Sequence, residues 1–158
     1  MKKLILITLS VCFTSLLLLA QTESTELYKD KAIYVDFGGN SLLYSINIEK
    51  SLSSGYSPRL ALGIGAEYLS SLTLNNLYYY NSLCLIPTAN LLFGKNSHFL
   101  ETGLACLFAY GKGNFTPSAR IGYRYQPKNG GFIFRVAYTP LLTGINFHYG
   151  GISLGYCL

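Results

Sequence analysis

The side chains able to do chemistry in this chain are few, and its two histidines come first. A hydrolase needs a nucleophile, a base within hydrogen-bond reach and a group that orients the base. The nearest serine after His148 in the last apolar segment is Ser153, which in an extended strand would lie about 17 Å away. His98 and Glu101 are three residues apart, which places them on opposite faces of a strand. No catalytic residue is predicted.

Metal and phosphate sites have no better support. Two histidines without clustered carboxylates do not supply a metal site, and no cofactor is predicted. Residues 111–114 (GKGN) are too short for a phosphate-binding loop and are typical of a β-turn. Beyond the leader described below, Cys84, Cys106 and Cys157 form an odd set without metal-ligand spacing. We expect them to pack as small apolar side chains, and a single disulfide is the alternative.

The remaining chemical groups are charged residues inside segments that alternate between apolar and polar. All of them fall on the polar face: Asp36, Glu49, Glu67, Glu101, Arg120, Arg124 and Arg135. Glycines at 63, 65, 103, 122 and 155 accompany them, as suits a narrow interior in which bulky and small groups alternate. Arginine is the cation that best pairs buried carboxylates, because its planar fork matches them. We predict a charge-balanced network in the lumen of a barrel, with acid/base pairs as the weaker interpretation.

The elements that must position these residues are strands. From Ala32 onward apolar residues recur with period two, which indicates β-strands. Eight such segments follow, and residues 127–131 (PKNGG) between the sixth and seventh are the clearest hairpin signal. Eight strands of roughly 10 residues can close on themselves, and closure removes every sheet edge. The predicted fold class is all-β, a single eight-stranded antiparallel up-and-down transmembrane β-barrel spanning residues 32–158.

The distribution of charge decides which face looks outward. Charged residues make up only 12% of the chain, against about 25% in an ordinary soluble domain. Every lysine falls in the leader, in the tail, or at a turn or strand end: Lys2, Lys3, Lys29, Lys31, Lys50, Lys95, Lys112 and Lys128. A soluble barrel would carry many of them along its strands. We therefore expect the apolar face to meet lipid; a soluble periplasmic, lipocalin-like binder of hydrophobic ligands is the alternative.

The first twenty residues are typical of a secretory signal peptide. Lys2 and Lys3 precede an uncharged apolar run from Leu4 to Leu19, and the composition becomes polar at Thr22. We expect residues 1–20 to be cleaved and 21–31 to form an N-terminal periplasmic tail; an uncleaved anchor is the alternative. Removing the two lysines lowers the formal net charge from +5 to +3. That excess is too small and scattered for nucleic-acid binding.

Several motifs resemble those of a family of short outer-membrane barrel proteins from Bacteroidota-type bacteria. They are residues 93–95 (FGK), 98–101 (HFLE), 122–127 (GYRYQP), 130–135 (GGFIFR) and 138–141 (YTPL). The last residues, with Ile152, Leu154, Tyr156 and Leu158 on one face, resemble the C-terminal signal recognised by the barrel-assembly machinery, although Phe is the usual last residue. The resemblance implies OmpA-type or OmpX-type size and the outer membrane of a gram-negative bacterium. It implies no catalytic residue.

These observations predict a structural or surface-interaction role in the cell envelope, without catalysis. Expected partners are outer-membrane lipids, the assembly machinery during insertion, and an envelope or extracellular partner of unknown identity. The candidate surface contact loop lies between residues 70 and 80, and its contact residues would be Leu72, Leu74, Tyr78, Tyr79 and Tyr80. Some small outer-membrane barrels act on lipid A, so a lipid-modifying hydrolase or acyltransferase is the alternative function.

Overall fold

The computed structural model describes residues 29–52, 57–74, 77–110, 114–142 and 148–158. The predicted signal peptide, Cys12 within it, and the first part of the predicted tail lie outside these ranges. The strands are β1 (Lys31–Gly38), β2 (Tyr44–Ser51), β3 (Arg59–Leu74), β4 (Leu77–Lys95), β5 (His98–Ala109), β6 (Asn114–Tyr125), β7 (Gly131–Pro140) and β8 (His148–Cys157). Within the same ranges, no helix has the length and apolar composition needed to cross a membrane.

The sheet closes into one barrel. Each strand pairs antiparallel with the next, and β1 completes the circle by pairing with β8, in a register that runs from Ala32 opposite Cys157 to Gly38 opposite Gly151. The predicted eight-stranded antiparallel up-and-down barrel is thus confirmed. The strand set begins at Lys31, one residue before the predicted boundary, because Lys31 already pairs with Lys50 of β2.

Two strands are much longer than expected. β3 has 16 residues and β4 has 19, and their ladder continues from the barrel wall to Leu74 opposite Leu77. The prediction of a loop between residues 70 and 80 is therefore wrong: Leu72, Tyr78, Tyr79 and Tyr80 belong to a β-hairpin. The physical reason is the β-propensity of the tyrosine run, which favours strand pairing up to Leu77.

The two ends of the barrel differ in their connections. One end, called here the terminal end, holds the start of β1, the end of β8 and the turns β2–β3, β4–β5 and β6–β7. At this end Asn96, with φ of 60°, and Gly130, with φ of 84°, allow tight turns in the left-handed region. The other end, called the far end, holds the remaining connections, including the long β3–β4 hairpin.

Burial alternates strictly along the strands. In β2, for example, Ser45, Asn47 and Glu49 are buried, whereas the intervening residues are exposed. Inward glycines make room for the bulky groups: a side chain at Gly65 would collide with Asn47, and one at Gly155 would collide with Tyr34. The interior is thus filled by side chains, as expected for eight strands.

The interior has three layers. An apolar cluster occupies the far end and consists of Leu42, Leu69, Cys84, Ile86, Ala105, Leu107 and Ala109. Most of the charged residues lie between the two apolar ends, whereas Arg59 lies over Phe99 at the terminal end. At that end Tyr34, Ile133 and Cys157 pack with Ala32, and Leu92 packs with Phe99 in a separate cluster.

Candidate functional site

The most distinctive feature of the molecule is its charged interior. Four carboxylates and four guanidinium groups point into the barrel, and none of these residues is more than 5% exposed: Asp36, Glu49, Glu67, Glu101, Arg59, Arg120, Arg124 and Arg135. The formal charges of this set cancel. Buried charges persist only when they are paired, because removing an ion from water costs several kcal/mol.

The ion pairs run between strands that are distant in sequence. Arg124 of β6 places Nη1 2.6 Å from Oε1 of Glu49 in β2, on another side of the barrel. Arg120 lies between two acids, 3.5 Å from Asp36 and 3.6 Å from Glu101. Arg135 of β7 donates two hydrogen bonds to Glu101, through Nε at 3.0 Å and through Nη2. These contacts join β1, β2, β5, β6 and β7 across the lumen.

Neutral groups complete the network. The Asn90 amide donates to Oε2 of Glu49 at 3.1 Å, and Arg120 donates to the Ser153 hydroxyl at 3.1 Å. The Arg135 guanidinium also lies over the Tyr34 ring, 4.3 Å from its centroid, a distance typical of a cation–π contact. Polar partners thus extend the network at Glu49 and Arg120, and an aromatic ring packs against Arg135.

Arg59 is an interior charge that sequence reasoning missed. It is the first residue of β3, is 2% exposed, and lies over the Phe99 ring at 4.2 Å from the centroid. The third alternating segment of the sequence starts at Leu60, which predicts that Arg59 belongs to the preceding turn. Extending the alternation back by one residue would have grouped it with Ala61 and Gly63 on the inward face.

Glu67 holds the β1–β2 connection inside the barrel. Its carboxylate accepts hydrogen bonds from the backbone amides of Leu42, Leu43 and Tyr44 at 3.0, 2.6 and 3.2 Å. Leu42 is consequently buried and Leu43 exposed. Alternation groups Leu42 with Tyr44, Ile46 and Ile48 and so predicts that it faces outward. This prediction is wrong, because β2 begins only at Tyr44 and Leu42 turns into the lumen. Glu67 thus pairs with peptide dipoles, whereas the other three acids pair with arginines.

We expect Glu67→Ala to lower the free energy of unfolding by about 1–3 kcal/mol, because the amide donors would lose their acceptor in a water-poor site. Glu67→Gln keeps one acceptor oxygen and should lose less. Urea titration and hydrogen exchange at the Leu42 and Leu43 amides measure both effects. Ser70→Ala, an exposed position on the same strand, is the control. Unchanged exchange in Glu67→Ala would contradict this role.

The histidines lie on the outside, at opposite ends of the barrel. Nδ1 of His98 is 2.6 Å from the Tyr123 hydroxyl at the terminal end. His148 bonds to the Tyr138 hydroxyl near the far end and stacks on its ring, with 5.7 Å between centroids. Within the ranges that the structure describes, no three His, Cys, Asp or Glu residues cluster as metal ligands would. Cys84, Cys106 and Cys157 are free thiols.

The other predicted site residues lie on the outer surface or in the hairpin. Ile152, Leu154, Tyr156 and Leu158 form one exposed row along β8. In the hairpin, Leu72 packs against the apolar interior cluster, whereas Tyr80 is 62% exposed. The side chains of Leu74, Tyr78 and Tyr79 fall outside the described part.

No family model, no curated protein and no solved structure matches this chain.

Proposed function

We propose that this chain is an integral outer-membrane β-barrel protein with a non-enzymatic structural or surface-interaction role in the envelope of a gram-negative bacterium. The observation that carries the proposal is the inverted distribution of polarity. Eight charged residues of the described part are buried inside, whereas the outer wall is apolar. In this view a cleaved signal peptide exports the chain, and the exposed row on β8 is read by the assembly machinery.

The outer wall is apolar over its whole circumference. Each strand contributes large apolar side chains that are between 41% and 60% exposed, among them Ile33, Ile48, Ile64, Leu85, Leu104, Ile121, Phe132 and Leu154. Soluble monomers rarely expose a continuous apolar patch larger than a few hundred Å². In a hydrocarbon environment these apolar side chains would not be exposed to water, so their hydration would cost no free energy. Such an environment would also explain why the charged side chains point inward.

The height of the apolar wall suits a bilayer. Ten residues separate Phe115 from Tyr125 along β6. At about 3.3 Å per residue and a tilt of about 40°, they span about 25 Å, the height of the apolar band in outer-membrane barrels. Aromatic side chains occupy both borders, including the His98–Tyr123 and His148–Tyr138 pairs. Amphipathic rings at these levels are typical of membrane interfaces.

A soluble carrier of hydrophobic ligands has less support. Such a protein would line its interior with apolar groups around a cavity. Here ion pairs fill the middle of the barrel, with Arg135 fully buried between Glu101 and Glu49.

Cell fractionation tests the membrane assignment. We expect the native chain in the outer-membrane fraction, soluble only with detergent, and migrating faster on a gel before boiling than after it. A folded chain that remains in solution without detergent would contradict the proposal. Lipid A mass spectra from cells with and without the protein test the absence of catalysis: identical spectra are expected, and loss or gain of an acyl chain would favour a lipid-modifying enzyme.

The β3–β4 hairpin is the element best placed for surface interaction. The pairing of β2 with β3 ends at Ala66, and that of β4 with β5 ends at Cys84. Past these residues, among the described residues, the Tyr110 amide donates to the Leu83 carbonyl at 2.8 Å and extends the pairing on the β4 side by one bond. The edges of such a projecting hairpin pair with partner strands in other proteins.

Replacing residues 72–79 by Asn-Gly, a two-residue turn suited to hairpins, should leave the barrel intact but reduce cell adhesion. The heat-dependent gel shift checks the barrel, and binding of whole cells to surfaces checks the interaction. Tyr110→Ala is the matched control, because this residue is 82% exposed outside the hairpin. Unchanged adhesion in the replacement variant would argue against an interaction role for the hairpin.

A further inference from the structure

The lysines of the described residues lie at one end of the barrel. Every lysine of the described residues lies at the terminal end: Lys29, Lys31, Lys50, Lys95 and Lys128. Lys31 begins β1, Lys50 nearly ends β2, and Lys95 ends β4. The N-terminal tail is expected in the periplasm, so the terminal end of the inserted barrel would face the periplasm and its lysines would lie at the level of the phospholipid headgroups.

Two of these lysines are direct neighbours on the outer face. Lys31 and Lys50 are opposite each other in the β1–β2 register, and both are exposed. Like charges opposite each other in a sheet repel. Asp30, half-buried beside Lys31, supplies one negative charge, whereas Glu49 points inward to Arg124. Lys29, Lys31 and Lys50 against Asp30 leave a local excess of positive charge.

An apolar groove begins at this pair of lysines. It has a volume of about 490 Å³ and runs over the outer wall, where the side chains of Ile33, Ile48, Leu62, Ile64 and Leu158 line it. The register explains the arrangement: the row Leu158–Lys31–Lys50–Leu62 lies beside the row Ile33–Ile48–Ile64. The two ammonium groups thus lie at the terminal edge of an apolar groove that crosses β1, β2 and β3.

We infer that this groove binds one anionic phospholipid, with its phosphate between the Lys31 and Lys50 ammonium groups and an acyl chain along Ile33 and Ile48. The inference rests on the proposed membrane location. A free phosphate ion would use only the lysines and leave the apolar groove without a role. A zwitterionic lipid would not compensate the excess positive charge.

Native mass spectrometry of the full chain in detergent tests this site with phosphatidylglycerol and phosphatidylcholine as probes. Each lysine near an anionic headgroup contributes about a fivefold preference, so the wild type should retain phosphatidylglycerol about thirtyfold better. The Lys31→Gln/Lys50→Gln variant should lose this preference, whereas Lys95→Gln, at the same end on β4, should keep it. Raising the salt concentration to 0.5 M should weaken the preference.

The outcomes separate this site from the membrane assignment. A barrel that inserts in detergent or vesicles but retains both lipids equally would overturn the lipid site and leave the proposed function standing. The same preference in the double variant would also overturn it. If millimolar glycerol phosphate displaced phosphatidylglycerol, the lysines would bind only the anionic headgroup, and the proposed lipid site would be overturned. A chain that folds without detergent and binds neither lipid would overturn both proposals.

Discussion

Arg135→Met should lower the free energy of unfolding by about 3–5 kcal/mol, the cost of breaking a buried ion pair by removing one partner. The guanidinium is fully buried, donates to Glu101 and lies 3.9 Å from Glu49. Methionine fills much of the volume but leaves these carboxylates with less positive charge nearby. Urea titration in detergent, followed by the heat-dependent gel shift, measures the loss.

Two variants make the result specific to the pair. Lys95→Gln also removes a positive charge, but from an exposed site, and should change the unfolding free energy by no more than about 0.5 kcal/mol. Arg135→Met combined with Glu101→Gln should recover part of the loss, because no unpaired charge then remains at Glu101. If Arg135→Met cost as little as Lys95→Gln, the interior network would not stabilise the barrel.

Leu104→Arg should destabilise the inserted barrel by about 2–4 kcal/mol, the penalty for a cation facing lipid near the bilayer midplane. Leu104 is 60% exposed halfway along β5, so in water the same change would fall within about 0.5 kcal/mol. The loss of stability therefore depends on whether Leu104 faces lipid or water. The free energy of unfolding of both proteins in phosphatidylcholine vesicles measures this loss.

Leu52→Arg is the matched control for Leu104→Arg. Leu52 is 56% exposed, but it follows the end of β2 at the terminal end of the barrel. Near the interface an arginine costs about 0–1 kcal/mol. Equal tolerance of both arginines would mean that the outer wall meets water, and the membrane proposal would fail.

Period-two alternation made the strands and their two faces predictable, because each residue's face follows from that of its neighbour. Alternation ends where a strand ends, so the faces of residues at strand boundaries were less predictable. Arg59, at the start of β3, was not predicted to be an interior residue. Leu42, just before β2, was predicted on the wrong face. The inward path of the residues before β2 depends on Glu67, which is distant in sequence.

The charged residues of the interior were predictable as a set, but their partners were not. Alternation places Glu49 and Arg124 inside the barrel, yet it contains no information about which side chains meet across the lumen. That depends on strand tilt and stagger, which closure sets for the whole barrel. The long β3–β4 hairpin was missed because a segment rich in Tyr, Asn and Leu suits an exposed contact loop as well as a pair of strands, and the pairing itself is visible only in the ladder.

The pairing of β1 with β8 has a consequence for biogenesis. Residues 32–37 pair with β2 on one side, but a nascent chain that lacks residues 148–157 has no partner for the other side of residues 32–38, so the barrel cannot close during synthesis. Until β8 has been made, every partly synthesised chain has two unpaired strand edges and an exposed apolar outer surface. Both features promote aggregation. Escort by a holdase until the final strand arrives would therefore be a requirement of this architecture.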